Sequence, residues 1–71
     1  MKYIFPERLK ELREEKELSI NQLSKEINVS PTAISRWENN LRIPNIVNLF
    51  VLADFFDVSA DYLIGRTDFE W

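Results

Sequence analysis

The pattern of apolar residues and helix-capping residues divides the chain into five short helical segments. In the first segment, Pro6 suits an initial helical position, and Leu9 and Leu12 then share one helix face. At the other end of the chain, Ser59 is placed to cap a short fifth helix that Gly65 closes. No segment has the alternating pattern of a strand, and there is no internal repeat. These features predict an all-α chain.

Capping residues in the middle of the chain predict a helix-turn-helix over residues 20–39. Ser19 and Gln22 form a capping box for its first helix, in which each side chain accepts a backbone N–H. That helix is expected to end at Asn28, since asparagine tolerates the left-handed conformation of a helix stop. Ser30 is placed to cap the second helix. A turn this short makes the helices cross steeply and leaves the second one partly projecting.

The second helix of this motif has a polar outer face. Ile34 and Trp37, three residues apart, are predicted to point into the core, so the remaining positions point outward. The outward residues are polar and hydrogen-bonding, as in helices that enter a major groove. They are Thr32, Ser35, Arg36 and Asn39.

The fourth helix, from Ile46 to about Phe56 and capped by Asn45, is unusually apolar. One stripe of side chains is expected to face the core: Ile46, Leu49, Leu52, Ala53 and Phe56. A small domain needs only one such stripe, yet a second one recurs at every fourth residue, and the chain end adds two aromatic residues. Together these are Val47, Val51, Phe55, Phe69 and Trp71. Because a contiguous apolar surface marks an interaction site, we expect a homodimer interface here, or a groove that the tail covers.

A series of residue combinations along the chain follows the order of one known family. They include Leu12-Arg13-Glu14-Glu15-Lys16, Leu18-Ser19, Val29-Ser30, Ile34-Ser35-Arg36-Trp37-Glu38-Asn39, Leu52-Ala53, Val58-Ser59 and Asp61-Tyr62-Leu63. With these combinations the chain resembles the Cro/phage-repressor-like (XRE) helix-turn-helix family. The similarity covers roughly residues 5–66 and leaves 67–71 as a C-terminal tail. It implies a five-helix lambda-repressor-like domain that binds double-stranded DNA.

The resemblance also implies roles for individual side chains. Base-reading positions of the family are occupied here by Pro31, Thr32, Ser35 and Arg36. Positions on the sugar–phosphate backbone are occupied by Ser30, Asn39, Asn40 and Arg42. The family's phosphate-binding Gln is Ile20 in this chain, so its contact is expected to pass to Asn21 or Lys25. Arg13 and Glu38 match a partly buried salt bridge between the first and third helices.

Charge is distributed unevenly along the chain. The net charge of −3 at face value disfavours nucleic acid, because phosphate contacts dominate affinity for DNA. However, basic and acidic residues number five and five in 1–18, three and two in 19–44, and one and five in 45–71. The acidic excess therefore lies in the half that is expected to face away from DNA. Specificity should then depend on base contacts and dimerisation.

The composition excludes several classes of protein. The chain of 71 residues has no His and no Cys, which excludes disulfides, ordinary zinc sites and His-based nucleophile pairs. Its only Gly is at position 65, which excludes a glycine-rich phosphate loop. There is no apolar run of the ~20 residues that span a bilayer, and no secretory signal. We expect a cytoplasmic protein that is not an enzyme and has no cofactor, metal or membrane contact.

The sequence favours a sequence-specific transcriptional regulator, a repressor that binds a palindromic operator as a homodimer through the major groove. Two alternatives stay open. The first is a protein-binding module on the same scaffold, an antitoxin or antagonist, which the acidic balance and the apolar fourth helix favour. The second is the N-terminal DNA-binding domain of a longer effector-controlled regulator, in which Arg66 would begin a linker.

Overall fold

The computed structural model describes residues 2–71 and contains five helices in that range. They are α1 (Phe5–Glu15), α2 (Ile20–Ile27), α3 (Pro31–Glu38), α4 (Ile46–Phe56) and α5 (Ala60–Ile64). The described residues form no strand, so the prediction of an all-α fold with five helices is confirmed.

Local side-chain caps start four of the five helices where the sequence predicts. In each case a serine or asparagine side chain accepts the backbone N–H of the residue three positions further on, which is worth about 1 kcal/mol per helix. The four capping residues are Ser19, Ser30, Asn45 and Ser59. The side chain of Gln22 also accepts the N–H of Ser19, which completes the capping box. Three helices end at a left-handed residue: Asn28, Asp57 and Gly65.

One apolar core joins all five helices. α3 packs against α1 and α2, and α5 packs against α1 and α4. The ring of Phe5 meets Trp37 edge-on at a centroid distance of 6.5 Å, which ties the start of α1 to the end of α3. The buried core residues are Phe5, Leu9, Leu12, Leu23, Ile34, Trp37, Leu52, Ala53, Phe56, Val58 and Leu63. Each large side chain among them stabilises the fold by about 1.5–3 kcal/mol relative to its exposed state.

The start of α4 differs from the prediction. Leu52, Ala53 and Phe56 are buried and Leu49 packs against the core, but the side chain of Ile46 is 66% exposed. Ile46 is the first residue of α4, where the helix leaves the α3–α4 loop and has not yet reached the core. Its assignment to the buried stripe was therefore wrong, although its spacing fits that stripe.

A buried arginine, which the sequence analysis missed, joins α1 to the C-terminal tail. The guanidinium of Arg8 lies 4.0 Å from the ring centroid of Tyr62. It donates hydrogen bonds to the carbonyl oxygens of Tyr62 and Thr67 and to the carboxylate of Asp68. Arg8 lies between Phe5 and Leu12 on the core-facing side of α1, and this spacing is the signal in the sequence for its direction, although not for its partners in the tail.

The tail also contacts the turn between α4 and α5. The backbone N–H of Ser59 donates to the carbonyl of Glu70, and the indole N–H of Trp71 donates to the carbonyl of Asp57. Residues 67–71 are therefore folded back onto the helices, with the aromatic side chains of Phe69 and Trp71 largely exposed.

Replacement of Gly65 tests how closely the end of α5 packs against the residues that precede α1. Gly65 has a φ of 102°, and an added Cβ would clash with the carbonyl oxygen of Lys2 and lie 2.7 Å from Cγ1 of Ile4. We expect Gly65→Ala to lower the free energy of unfolding by about 2–4 kcal/mol, through backbone strain and overpacking. Urea denaturation measures this. Asp57→Gly, at another left-handed position, is the control and should not destabilise; an unchanged midpoint for Gly65→Ala would contradict the packing.

Candidate nucleic-acid interface

The outer face of α3 is polar and accessible. Pro31, Thr32 and Arg36 are exposed, and Ser35 is half-buried, whereas Ile34 and Trp37 on the opposite face are buried. The side chain of Ser30 accepts the N–H of Ala33 at 3.1 Å and so begins the helix. The structure thus brings the four residues predicted to contact bases together on one side of a single helix.

The residues predicted to contact the DNA backbone surround this face. Asn21 and Lys25 are exposed on α2, and Ser30, Asn39, Asn40 and Arg42 are exposed at the two ends of α3. The end of α3 is fixed by its backbone, because the N–H of Asn40 donates to the carbonyl of Trp37 and that of Leu41 to the carbonyl of Arg36. Asn40 takes a φ of 58°, the left-handed conformation that this type of helix end requires.

Asn39 differs from the other members of this set, because its side chain turns back along α3. Its Nδ2 donates to the carbonyl oxygen of Ser35 at 2.8 Å and lies 3.4 Å from the hydroxyl oxygen of the same residue. The structure therefore joins Asn39 to the face predicted to read bases, and not only to the loop that follows it.

The charges exposed on this surface favour an anion more than the number of basic and acidic residues in 19–44 suggests. Lys25, Arg36 and Arg42 are exposed, and none of them forms an ion pair within residues 2–71. Of the two acidic residues in 19–44, Glu38 is held by Arg13 and its side chain is only 6% exposed. The outward charge of this region is therefore three cations against Glu26.

The Arg13–Glu38 ion pair connects α1 to α3. Arg13 Nε donates to one carboxylate oxygen of Glu38 at 2.7 Å and Nη2 donates to the other at 3.0 Å, while Nη1 donates to the carbonyl of Leu18 at 2.8 Å. The side chain of Arg13 is 11% exposed. The hydrogen bond to Glu38 raises the pKa of Arg13 above its ordinary value, against the opposing effect of burial. Arg13 is therefore fully charged wherever the fold persists.

The residues predicted as a dimer interface lie along α4 and in the tail, and they differ in exposure. Val47 is exposed near the start of α4, whereas Val51 and Phe55 are half-buried and Phe55 packs against the core. Phe69 and Trp71 lie in the tail, whose contact with Asp57 places it at the far end of α4. α4 has 11 residues, so its two ends are about 15 Å apart.

Further exposed apolar side chains lie in the α3–α4 loop and at the start of α4. We call this set the α4 patch: Leu41, Ile43, Ile46, Val47 and Phe50. The sequence contained a signal for it, because Leu41 and Ile43 are large apolar residues in a loop segment, and no charged residue occurs from 43 to 53. Two residues of the patch, Leu41 and Ile43, flank Arg42, which is predicted to contact the DNA backbone.

Within the part of the chain that the structure describes, there is no pocket and no cluster of acidic residues suited to a metal ion. None of the helices in residues 2–71 is long and apolar enough to cross a lipid bilayer.

The fold and this surface define a helix-turn-helix protein. A family model described as "Helix-turn-helix" matches residues 9–63. The chain belongs to the XRE family of helix-turn-helix transcriptional regulators. The resemblance found in the sequence is therefore confirmed.

The similar proteins include a transcriptional activator and a transcriptional repressor. The chain is 42% identical over 61 residues to the HTH-type transcriptional activator BcrR of Enterococcus faecalis, covering 86% of this chain and 30% of BcrR. It therefore spans less than a third of that relative. The P22 c2 repressor in complex with synthetic operator 9T has a TM-score of 0.83 and 33% identity, covering 89% of this chain and 96% of that one. A SinR–SinI protein complex has a TM-score of 0.81 and 30% identity, with coverages of 89% and 62%.

Removing one partner of the ion pair tests its role in placing α3. Glu38→Gln leaves the buried guanidinium of Arg13 without a counter-charge, so we expect a loss of about 3 kcal/mol in the free energy of unfolding. For a domain of this size the thermal midpoint should fall by roughly 15 °C, which thermal unfolding followed by circular dichroism measures. The double variant Arg13→Met/Glu38→Leu removes both charges and should be more stable than Glu38→Gln. Wild-type stability in Glu38→Gln would mean that the pair is not needed.

Proposed function

We propose that this protein is a sequence-specific DNA-binding regulator that acts in the cytoplasm by binding rather than by catalysis. The observation that carries the proposal is the outer face of α3. Thr32, Ser35 and Arg36 share that face and offer hydroxyl and guanidinium groups suited to base edges in the major groove. Exposed polar groups at both ends of the helix are placed to fix its register on phosphates.

The distribution of charge supports this orientation of the domain. Three exposed cations that form no ion pair within residues 2–71 lie on α2, on α3 and in the loop that follows. The acidic residues of the C-terminal half lie in the last turn of α4, at Asp57 directly after it, in α5 and in the tail, and α5 packs against α1 and α4. With so few phosphate-binding cations, non-specific affinity should be weak and should depend only shallowly on salt, since few counterions are released.

Repression of a palindromic operator is the form of regulation that we propose. Repression by occupancy needs only a domain that binds its site, and this chain offers a DNA-binding face and a surface for self-association. The similar P22 c2 repressor, in its complex with an operator, supports this choice, and the relative BcrR is named an activator. Selection from random duplexes of about 30 base pairs tests the proposal: a palindrome with half-sites about 10 base pairs apart is expected.

Arg36→Ala tests the assignment of α3. Arg36 is exposed and forms no ion pair within residues 2–71, so its removal should leave thermal stability nearly unchanged. The preference for the selected site should fall by ~1–3 kcal/mol, measured by competition between selected and scrambled duplexes. Lys25→Ala is the matched control, since loss of a phosphate contact should weaken all sequences alike and reduce the salt slope by about 1. If Arg36→Ala unfolds the domain, Arg36 does not belong to the outer face.

The α4 patch is the surface through which we propose that the homodimer forms. An isologous contact places the same residues on both sides of a twofold axis, so an apolar, uncharged surface is self-complementary. Since Leu41 and Ile43 of the patch flank Arg42, a dimer through the patch would present one α3 helix to each half-site of a palindrome.

Val47→Glu tests this interface. Val47 is exposed, so a carboxylate there should leave the fold intact but shift the dimer toward monomer, because like charges would face each other across the twofold axis. Sedimentation velocity measures the change. Phe69→Glu adds the same charge to an exposed aromatic of the tail and is the matched control. Dissociation by Phe69→Glu alone would move the interface to the tail and remove the α4 patch from it.

A protein-binding role is the second candidate function. The observation that favours it is again the α4 patch, since exposed large apolar side chains also suit contact with a different protein. The SinR–SinI complex contains two different proteins, and its likeness to this chain is compatible with such a role. A chain that stays monomeric and retains no duplex in the selection at low salt would favour this function. An N-terminal domain of a longer regulator fits either role.

A further inference from the structure

Two polar side chains on the outer face of α3 are joined by hydrogen bonds. Asn39 Nδ2 donates to the carbonyl oxygen of Ser35 at 2.8 Å, and the backbone N–H of Asn39 donates to the same oxygen at 3.0 Å. These two bonds hold the amide of Asn39 along the helix surface, 3.4 Å from the hydroxyl oxygen of Ser35. The amide of Asn39 thus lies within hydrogen-bond distance of the hydroxyl group of Ser35.

This arrangement determines whether the hydroxyl group of Ser35 donates or accepts the hydrogen bond to Asn39. An amide NH₂ group is only a donor, so at Nδ2 the hydroxyl oxygen presents a lone pair and its proton points elsewhere. No acceptor within residues 2–71 takes that proton. Ser24 shows the contrast, since its hydroxyl donates internally to the carbonyl of Asn21 at 2.7 Å. The hydroxyl proton of Ser35 is therefore free for an external acceptor on the face that meets DNA.

We infer that Asn39 is a positioning residue for base recognition, which fixes the hydroxyl of Ser35 as a hydrogen-bond donor toward a base edge. This inference rests on the proposed DNA-binding function and adds that the protein is the hydrogen-bond donor in this base contact. In the major groove the acceptor atoms are N7 and O6 of guanine, N7 of adenine and O4 of thymine. The pair should select a base that presents one of these acceptors and discriminate against the amino group of cytosine.

Asn39→Asp tests the inference, because it changes a donor to an acceptor with almost no change of shape. A carboxylate at 39 donates no hydrogen bond: one oxygen repels the carbonyl oxygen of Ser35 that Nδ2 contacts in the wild type, and the other accepts the hydroxyl proton, so the base contact loses its fixed donor. Selection followed by sequencing gives the base frequencies for each variant. Ser35→Ala should relax the preference about fivefold at one position in each half-site, the size of a neutral hydrogen bond. Asn39→Asp should relax the same position, and adding it to Ser35→Ala should change that position no further.

A charge control separates this effect from a general loss of affinity. Asn28→Asp adds the same charge within the helix-turn-helix, at a left-handed residue that does not contact Ser35, and should leave the base preference at that position as in wild type. If wild-type protein enriches no duplex, the proposed function itself fails, and this inference fails with it. If wild type enriches a site but Asn39→Asp keeps the preference, or Ser35→Ala relaxes no position, only the role of the pair is overturned.

Discussion

The buried ion pair between Arg13 and Glu38 is the constraint on which the placement of the recognition helix depends. Apolar packing between α1 and α3 is non-directional, so the rings of Phe5 and Trp37 tolerate small rotations of one helix on the other. A bidentate guanidinium–carboxylate contact does not tolerate such rotations, because its two parallel hydrogen bonds fix both the distance and the angle between the two side chains. The third donor of Arg13 holds the carbonyl of Leu18, so the turn before α2 is bound to the same group. One side chain thus sets the positions of both helices of the motif.

The same ion pair changes the electrostatics of the surface that we propose faces DNA. Glu38 lies next to Trp37 at the end of α3, and a free carboxylate there would repel phosphate. Because Arg13 neutralises and buries it, Arg36 and Arg42 remain unopposed nearby. A chain with a net charge of −3 can therefore present a cationic face. The structural role and the electrostatic role of the pair follow from one contact, so a variant that breaks it impairs both folding and binding.

Features that depend on neighbours in the sequence were predictable, whereas features that depend on tertiary contacts were not. The serine and asparagine caps and the left-handed stop at Asn28 act within one turn of helix, and they lie where the sequence placed them. The burial of Arg8 depends on the tail, which lies more than fifty residues away along the chain. The exposure of Ile46 depends on where α4 first meets the core. Helical periodicity gives the face of a residue but not the depth of the surface beneath it.

Apolar residues have different surroundings at the two ends of α4. Near its end, α4 contributes Phe55 and Phe56 to packing, and the tail contacts the turn that follows it. At its start, the α4 patch is exposed beside the loop that carries Arg42. Few base-reading side chains on one α3 give modest discrimination, since each good contact is worth ~1–3 kcal/mol. A dimer through this patch doubles the number of contacts at a fixed spacing, so self-association would supply the specificity that one small domain with few cations lacks.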